Sequence, residues 1–136
     1  MLSFSLTGTA AFASEIKYSD IVIDADKLSS DSPSDNAKIF QAAFDEAKNK
    51  ASDENRYRIY LPKGEYHINT TLNIFSNTEL YLDEDTTLVQ DAPKGQNIVK
   101  AGDFSQKHIL YNGFRNIKID GGKWNMQFNG SCAMRF

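Results

Sequence analysis

Arg58-Ile-Tyr-Leu-Pro-Lys-Gly-Glu-Tyr-His-Ile-Asn69 is the stretch on which the fold of this 136-residue chain turns. Ile59 to Leu61 reads as a short apolar strand, cut off by Pro62-Lys63-Gly64, where Pro fixes φ and Gly admits a positive φ. A second short strand, Tyr66 to Ile68, follows at once. The pattern then repeats downstream: Leu72–Ile74, Glu79–Leu82, Thr87–Val89, Ile98–Lys100, His108–Tyr111, Asn116–Ile119 and Ala133–Phe136 all read as short strands. Asn is abundant beside these strand ends, where its side chain can bond its own backbone and tolerates left-handed conformations.

Few of the junctions carry the two-residue Asn-Gly or Asp-Gly loops of a hairpin meander. The spacing is regular instead: Leu80 to Leu88 and Ile109 to Ile117 are 8 residues each, and Ile59 to Leu80 is 21. Three short strands per turn of about 20 residues is what a parallel β-helix needs, because each coil stacks its inward aliphatics on those of the next. A sandwich of short antiparallel strands is the alternative.

Upstream the period changes. Tyr18 to Ile23 is a candidate first strand, and Asp24 to Asp35, rich in Ser and Asp, is loop. From Asp35 to about Lys50, Ile39, Phe40, Ala43, Phe44 and Ala47 fall on one face of an α-helix, with Lys38, Asp45, Glu46 and Lys48 on the other. Ser34 or Asp35 is the expected N-cap, with Pro33 just outside. A solenoid end exposes open strand edges that must be covered, so this helix is the expected cap.

Net charge is -3 and the 15 basic residues are spread along the chain, which argues against a nucleic-acid partner. Met1 to Ala13 is uncharged, apolar and rich in small residues. Ending in Ala11-Phe12-Ala13, it reads as the back half of a secretory signal without its basic start. The location expected is secreted or cell-surface, with no membrane partner, since nothing approaches about 18 consecutive apolar residues. The organisation expected is a partial signal peptide over 1–13, a strand, loop and capping helix over 14–57, and the first coils over 58–136, truncated at the C-terminus. The single Cys132, in the apolar run Cys-Ala-Met-Arg-Phe136, is expected to be a buried thiol rather than a nucleophile.

Three elements carry a family resemblance. They are Asp35 to Ala47, then Ile59-Tyr-Leu-Pro-Lys-Gly-Glu-Tyr-His-Ile68, and then Leu72 through Ser76-Asn-Thr-Glu-Leu-Tyr-Leu82 and Thr87-Leu88. Together they resemble the N-terminal entry of the pectate-lyase-like superfamily, closest to the polygalacturonase-type proteins of glycoside hydrolase family 28 and their bacterial relatives. Asn116-Ile-Lys-Ile-Asp-Gly-Gly-Lys-Trp124 is similar to a coil-edge element of that group. The resemblance covers roughly residues 20 to 125. It implies a mainly β fold, a right-handed parallel β-helix (solenoid) with an N-terminal amphipathic capping helix. The activity it implies is inverting hydrolysis of a pectin-like or other polysaccharide by a secreted enzyme, without a cofactor. A non-catalytic glycan-binding protein of the cell surface, a polysaccharide lyase and a phage tailspike-like protein are the other functions compatible with such a scaffold.

The family's Asn-x-Asp, Asp-Asp, Gly-His-Gly and Arg-x-Lys motifs are absent, so no catalytic residue is assigned and the chain alone is expected not to turn over polygalacturonate. Asp83-Glu-Asp85 reads as a solvated turn, because nothing holds two carboxyls at the ~6.5–9.5 Å an inverting pair requires. Asp120, before two glycines, reads as turn-forming. His67 and His108 lack Cys or carboxylate partners at metal-ligand spacing, and Asp24-Ala-Asp26 lacks a calcium-loop frame, so no metal is expected. Tyr66, Tyr81 and Trp124 are aromatics that can stack on sugar rings, although packing is their commoner fate. Asn69 and Asn129 begin glycosylation sequons, which matter only in a eukaryotic secretory host.

Overall fold

The computed structural model describes residues 15–102, 113–127 and 130–136. Among these, the chain is mainly β with parallel sheets and one α-helix. β1 (Lys17–Val22) leads through a 3-10 turn at Ala25–Lys27 to α1 (Pro33–Lys50). The strands β2 (Asn55–Leu61), β3 (Glu65–Ile68), β4 (Leu72–Ile74), β5 (Thr78–Leu82), β6 (Thr87–Gln90) and β7 (Val99–Ala101) follow. The last three are β8 (Lys118–Asp120), β9 (Lys123–Asn125) and β10 (Met134–Arg135). The expected leader over 1–13, the strand His108–Tyr111 and Asn129 lie outside the described residues.

The first sheet has the order β1-β2-β5-β8, the second β3-β6-β9 and the third β4-β7-β10, and every pairing is parallel. Thus β2, β3 and β4 enter three different sheets in turn, β5 to β7 return to them in the same order, and β8 to β10 do so again. Parallel neighbours cannot be joined by a tight hairpin, which accounts for the missing hairpin loops.

The register stacks like on like. Ile21, Ile59, Leu80 and Ile119 form one row across the first sheet, and Tyr66, Leu88 and Trp124 form another across the second. The 21-residue step from Ile59 to Leu80 is a register step. The next is not: Leu80 meets Ile119 only 39 positions later, so a constant repeat of about 20 residues does not hold. These rows meet in a single core cluster with Ile68, Ile74, Ile98 and Val99, all fully buried.

α1 lies on this core with Ala37, Phe40, Ala43, Phe44 and Ala47 buried, and Phe40 meets Tyr66 edge-to-face at 6.1 Å. Its polar contacts are as specific as its apolar ones. Asn36, fully buried, donates to the His67 carbonyl of edge strand β3 at 3.0 Å. Gln41 accepts from the Asn73 N–H of edge strand β4 at 2.8 Å and donates to the Asn73 carbonyl at 3.1 Å. Backbone groups that would otherwise face away from their sheets are thereby paired. The helix starts earlier than the cap residues suggested: Ser32 is the N-cap and Pro33 is the first helical residue. Proline fits there because its missing N–H is one that no helix satisfies internally.

Corners are built from residues that accept positive φ. Asn77 (φ 63°) and Asn116 (φ 58°) precede β5 and β8, and Asn116 donates its amide to Asn77 Oδ1 at 2.7 Å. Gly121 (φ 83°) turns the chain from β8 to β9 so close to β5 that a Cβ there would lie 2.1 Å from the Leu82 carbonyl oxygen. Only glycine combines that φ with that approach.

One expectation needs correction, and two strands add detail. Strand β2 begins at Asn55, three residues before Arg58, and pairs with β1. β9 was not anticipated, since Trp124 is its only large apolar residue. Cys132 is exposed, not buried: it lies before strand β10, and it is the neighbouring Ala133 that packs against the core.

Candidate functional site

Because side chains alternate across a strand, the neighbours of the inward-facing Ile21-Ile59-Leu80-Ile119 row point out of the first sheet. The register arranges them in two outer rows. One runs Asp20, Arg58, Glu79, Lys118, alternating in charge from strand to strand. The other runs Val22, Tyr60, Tyr81, Asp120.

In the first row Arg58 and Asp20 pair with each other, while Glu79 and Lys118 each contact a residue of the second row. Arg58 grips Asp20 with both prongs, Nε to Oδ1 at 2.8 Å and Nη2 to Oδ2 at 3.3 Å, and its guanidinium carbon lies 4.7 Å from the Tyr18 ring centroid. In the second row Tyr60 and Tyr81 stack at 5.3 Å with an 18° tilt, a spacing set by the distance between neighbouring strands. The Tyr81 hydroxyl donates to the Glu79 carboxylate, and the Lys118 ammonium sits 4.9 Å from the Tyr81 ring centroid. The hydrogen bond to Glu79, with burial second, raises the Tyr81 phenol above its ordinary pKa. Lys118 also pairs with Asp120 at 3.3 Å.

Along the tyrosine pair runs a shallow furrow of about 370 Å³, lined by Val22, Tyr60, Leu61, Pro62, Tyr81, Leu82 and Asp83. It joins apolar walls and ring edges to a carboxylate acceptor, a lining that suits a ligand with apolar C–H patches and hydroxyl groups.

A second cluster lies on the second sheet. His67 on β3 is clasped between Glu65, 2.9 Å from Nε2, and Asp91, 2.9 Å from Nδ1. Gln127, beyond β9, reaches both the Asp91 carboxylate and the Gln90 carbonyl. With an acceptor on each ring nitrogen, the doubly protonated imidazolium is favoured, and its pKa is raised by Glu65 and then Asp91.

The structure separates the residues singled out in the sequence. Tyr66 belongs to the core, with its hydroxyl on the Lys63 carbonyl at 3.1 Å and its pKa raised by burial. Trp124 is half-buried and donates to the Gly121 carbonyl at 3.3 Å. Tyr81 alone of the three faces outward at the furrow. Asp83 accepts from the Asp85 N–H at 2.9 Å within its own turn, and Asp24 does the same for Asp26 at 3.0 Å. Asn69 is exposed, and His108 lies outside the described residues. Among the described residues no group of three His, Cys, Asp or Glu side chains could hold a metal, and no helix is long and apolar enough to cross a membrane.

Tyr60, the charged row and the Asp91 partner of His67 went unnoticed in the sequence. A signal for the first existed: the 21-residue step that pairs Ile59 with Leu80 also pairs Tyr60 with Tyr81. Asp91 gave none, because its approach to His67 depends on how β3 lies against β6. No protein-family model, curated protein or solved structure matches the chain.

Proposed function

We propose that the three recurring parallel sheets are the opening coils of a right-handed parallel β-helix, with α1 as its cap. In this reading the outer face of the first sheet binds polysaccharide. The strand order supports the architecture, because a chain that visits three sheets in the same order on every pass winds about an axis. The protein is of the secreted, polysaccharide-active kind, polygalacturonase-like, in keeping with the sequence resemblance and with Ala11-Phe-Ala13. The role assigned to this face is binding.

The observation that carries the proposal is the Tyr60–Tyr81 pair bordering the furrow on an otherwise highly charged face. Affinity electrophoresis of the chain through gels containing soluble plant polysaccharides tests it. Retardation by at least one glycan, abolished in Tyr60→Ala and Tyr81→Ala, is the expected result. Unchanged mobility against every glycan overturns it.

A further inference from the structure

Resting on the glycan-binding reading of this face, we infer that the furrow beside Tyr60 and Tyr81 accepts a neutral glycan segment and rejects a uronate chain. The reason lies in which charges are already engaged. A uronate carboxylate needs a cation able to turn toward it, or it loses hydration without compensation. Arg58 directs two donors at Asp20. Lys118 faces Asp120 and the Tyr81 hydroxyl. Lys63 and Lys123 flank Asp85 from either side, at 3.5 and 3.6 Å. Each cation next to the furrow thus has a carboxylate beside it, Lys63 and Lys123 sharing Asp85.

The furrow itself holds one carboxylate, Asp83, which is exposed in the turn after β5. Toward a uronate it is a like charge. Toward a neutral sugar it is an acceptor for a hydroxyl, while Leu61, Pro62 and Leu82 cover the apolar C–H side of the ring. The tyrosines contribute edges rather than faces: Tyr60 and Tyr81 cover each other, and Lys118 lies over the far side of Tyr81. Such a lining grips a sugar from its side, through hydroxyls and ring C–H groups, and has no provision for a charged substituent.

Two polymers of the same backbone separate charge from shape: polygalacturonate and its fully methyl-esterified counterpart. Calorimetric titration of each into the full chain, at neutral pH and low salt, is expected to show the ester binding at least about tenfold tighter. Asp83→Lys, in an exposed turn, is expected to raise affinity for polygalacturonate about fivefold or more, a gain that disappears in high salt. Asp83→Asn should produce a smaller rise, and circular dichroism of both variants checks that the fold is kept. Equal or tighter binding of polygalacturonate by the unaltered chain overturns the inference and leaves the glycan reading standing. Selectivity that Asp83→Lys does not change also overturns it. Binding of neither polymer, nor of neutral galactan or glucan, removes the glycan reading and this inference with it.

Discussion

On the same four strands of the first sheet, the inward row of side chains and the charged outer row are built on opposite rules. Facing in, Ile21, Ile59, Leu80 and Ile119 stack aliphatic on aliphatic. Facing out, Asp20, Arg58, Glu79 and Lys118 stack opposite charge on opposite charge. Identical spacing thus serves burial on one side and an alternation of charge on the other, in which Arg58 and Asp20 form an ion pair. The rows should differ sharply in what they contribute. Burial is non-directional and accumulates with area, whereas exposed ion pairs are screened by water and salt.

The largest expected effect tests the inner row. Ile59, fully buried between Ile21 and Leu80, should cost about 3 kcal/mol or more as Ile59→Ala, read as a fall in urea midpoint. Ile119→Ala, in the same row but only partly buried, should cost roughly half as much or less. Equal losses at the two positions would show that burial along the row is not what stabilises it.

Next come the places where the inner row's geometry depends on backbone. Gly121→Ala forces a left-handed residue and a clash with the Leu82 carbonyl, and a loss of about 2 kcal/mol or more is expected from the same unfolding curves. Asn36→Ala strands the His67 carbonyl and the Ser29 backbone groups that it pairs, with a loss of about 1–3 kcal/mol. A neutral result at Asn36 would mean that α1 holds the β3 edge by apolar packing alone.

His67 supplies a pH-dependent contrast. Its folded pKa is raised above the ordinary 6.5 by the hydrogen bonds that the protonated ring donates to Glu65 and Asp91. Protonation therefore favours the folded chain. The stabilisation is complete below the unfolded value near 6.5 and is lost as pH rises through the higher folded value. Urea midpoints taken upward from pH 6 should decline by under about 1 kcal/mol, and His67→Gln should flatten the decline. NMR titration of the ring locates the folded value, and a midpoint at or below 6.5 would sink the account.

The smallest effect belongs to the outer row. Arg58→Ala should leave the urea midpoint essentially unmoved, since the pair with Asp20 is half open to water. Its sign should show only in salt: whatever small loss occurs should vanish at high ionic strength. A loss rivalling that of Ile59→Ala would erase the distinction between the rows.

Much of the inner row was legible in the sequence. Short apolar runs closed by Asn, Gly and Pro located β3 to β7 to within a residue, and the 21-residue step from Ile59 to Leu80 anticipated a true register pair. The outer row was not read, because charged and aromatic residues between aliphatics look like ordinary solvent-facing positions until a register sets them side by side. β9 escaped notice for a related reason. Three residues with one aromatic carry no periodicity, and Trp124 becomes a strand residue only through its place beside Leu88.

By itself the sequence determined the local grammar: where the chain extends, where it must turn, and which face of α1 is apolar. These follow from φ preferences and hydrophobic period, which act over a few residues. Only the tertiary structure decided that Asn36 and Gln41 close the edges of β3 and β4, that Tyr60 lies on Tyr81, and that Asp91 completes the clasp on His67. Each of these contacts joins residues more than twenty positions apart. Their meeting depends on the register and on unequal loop lengths, which no local preference encodes.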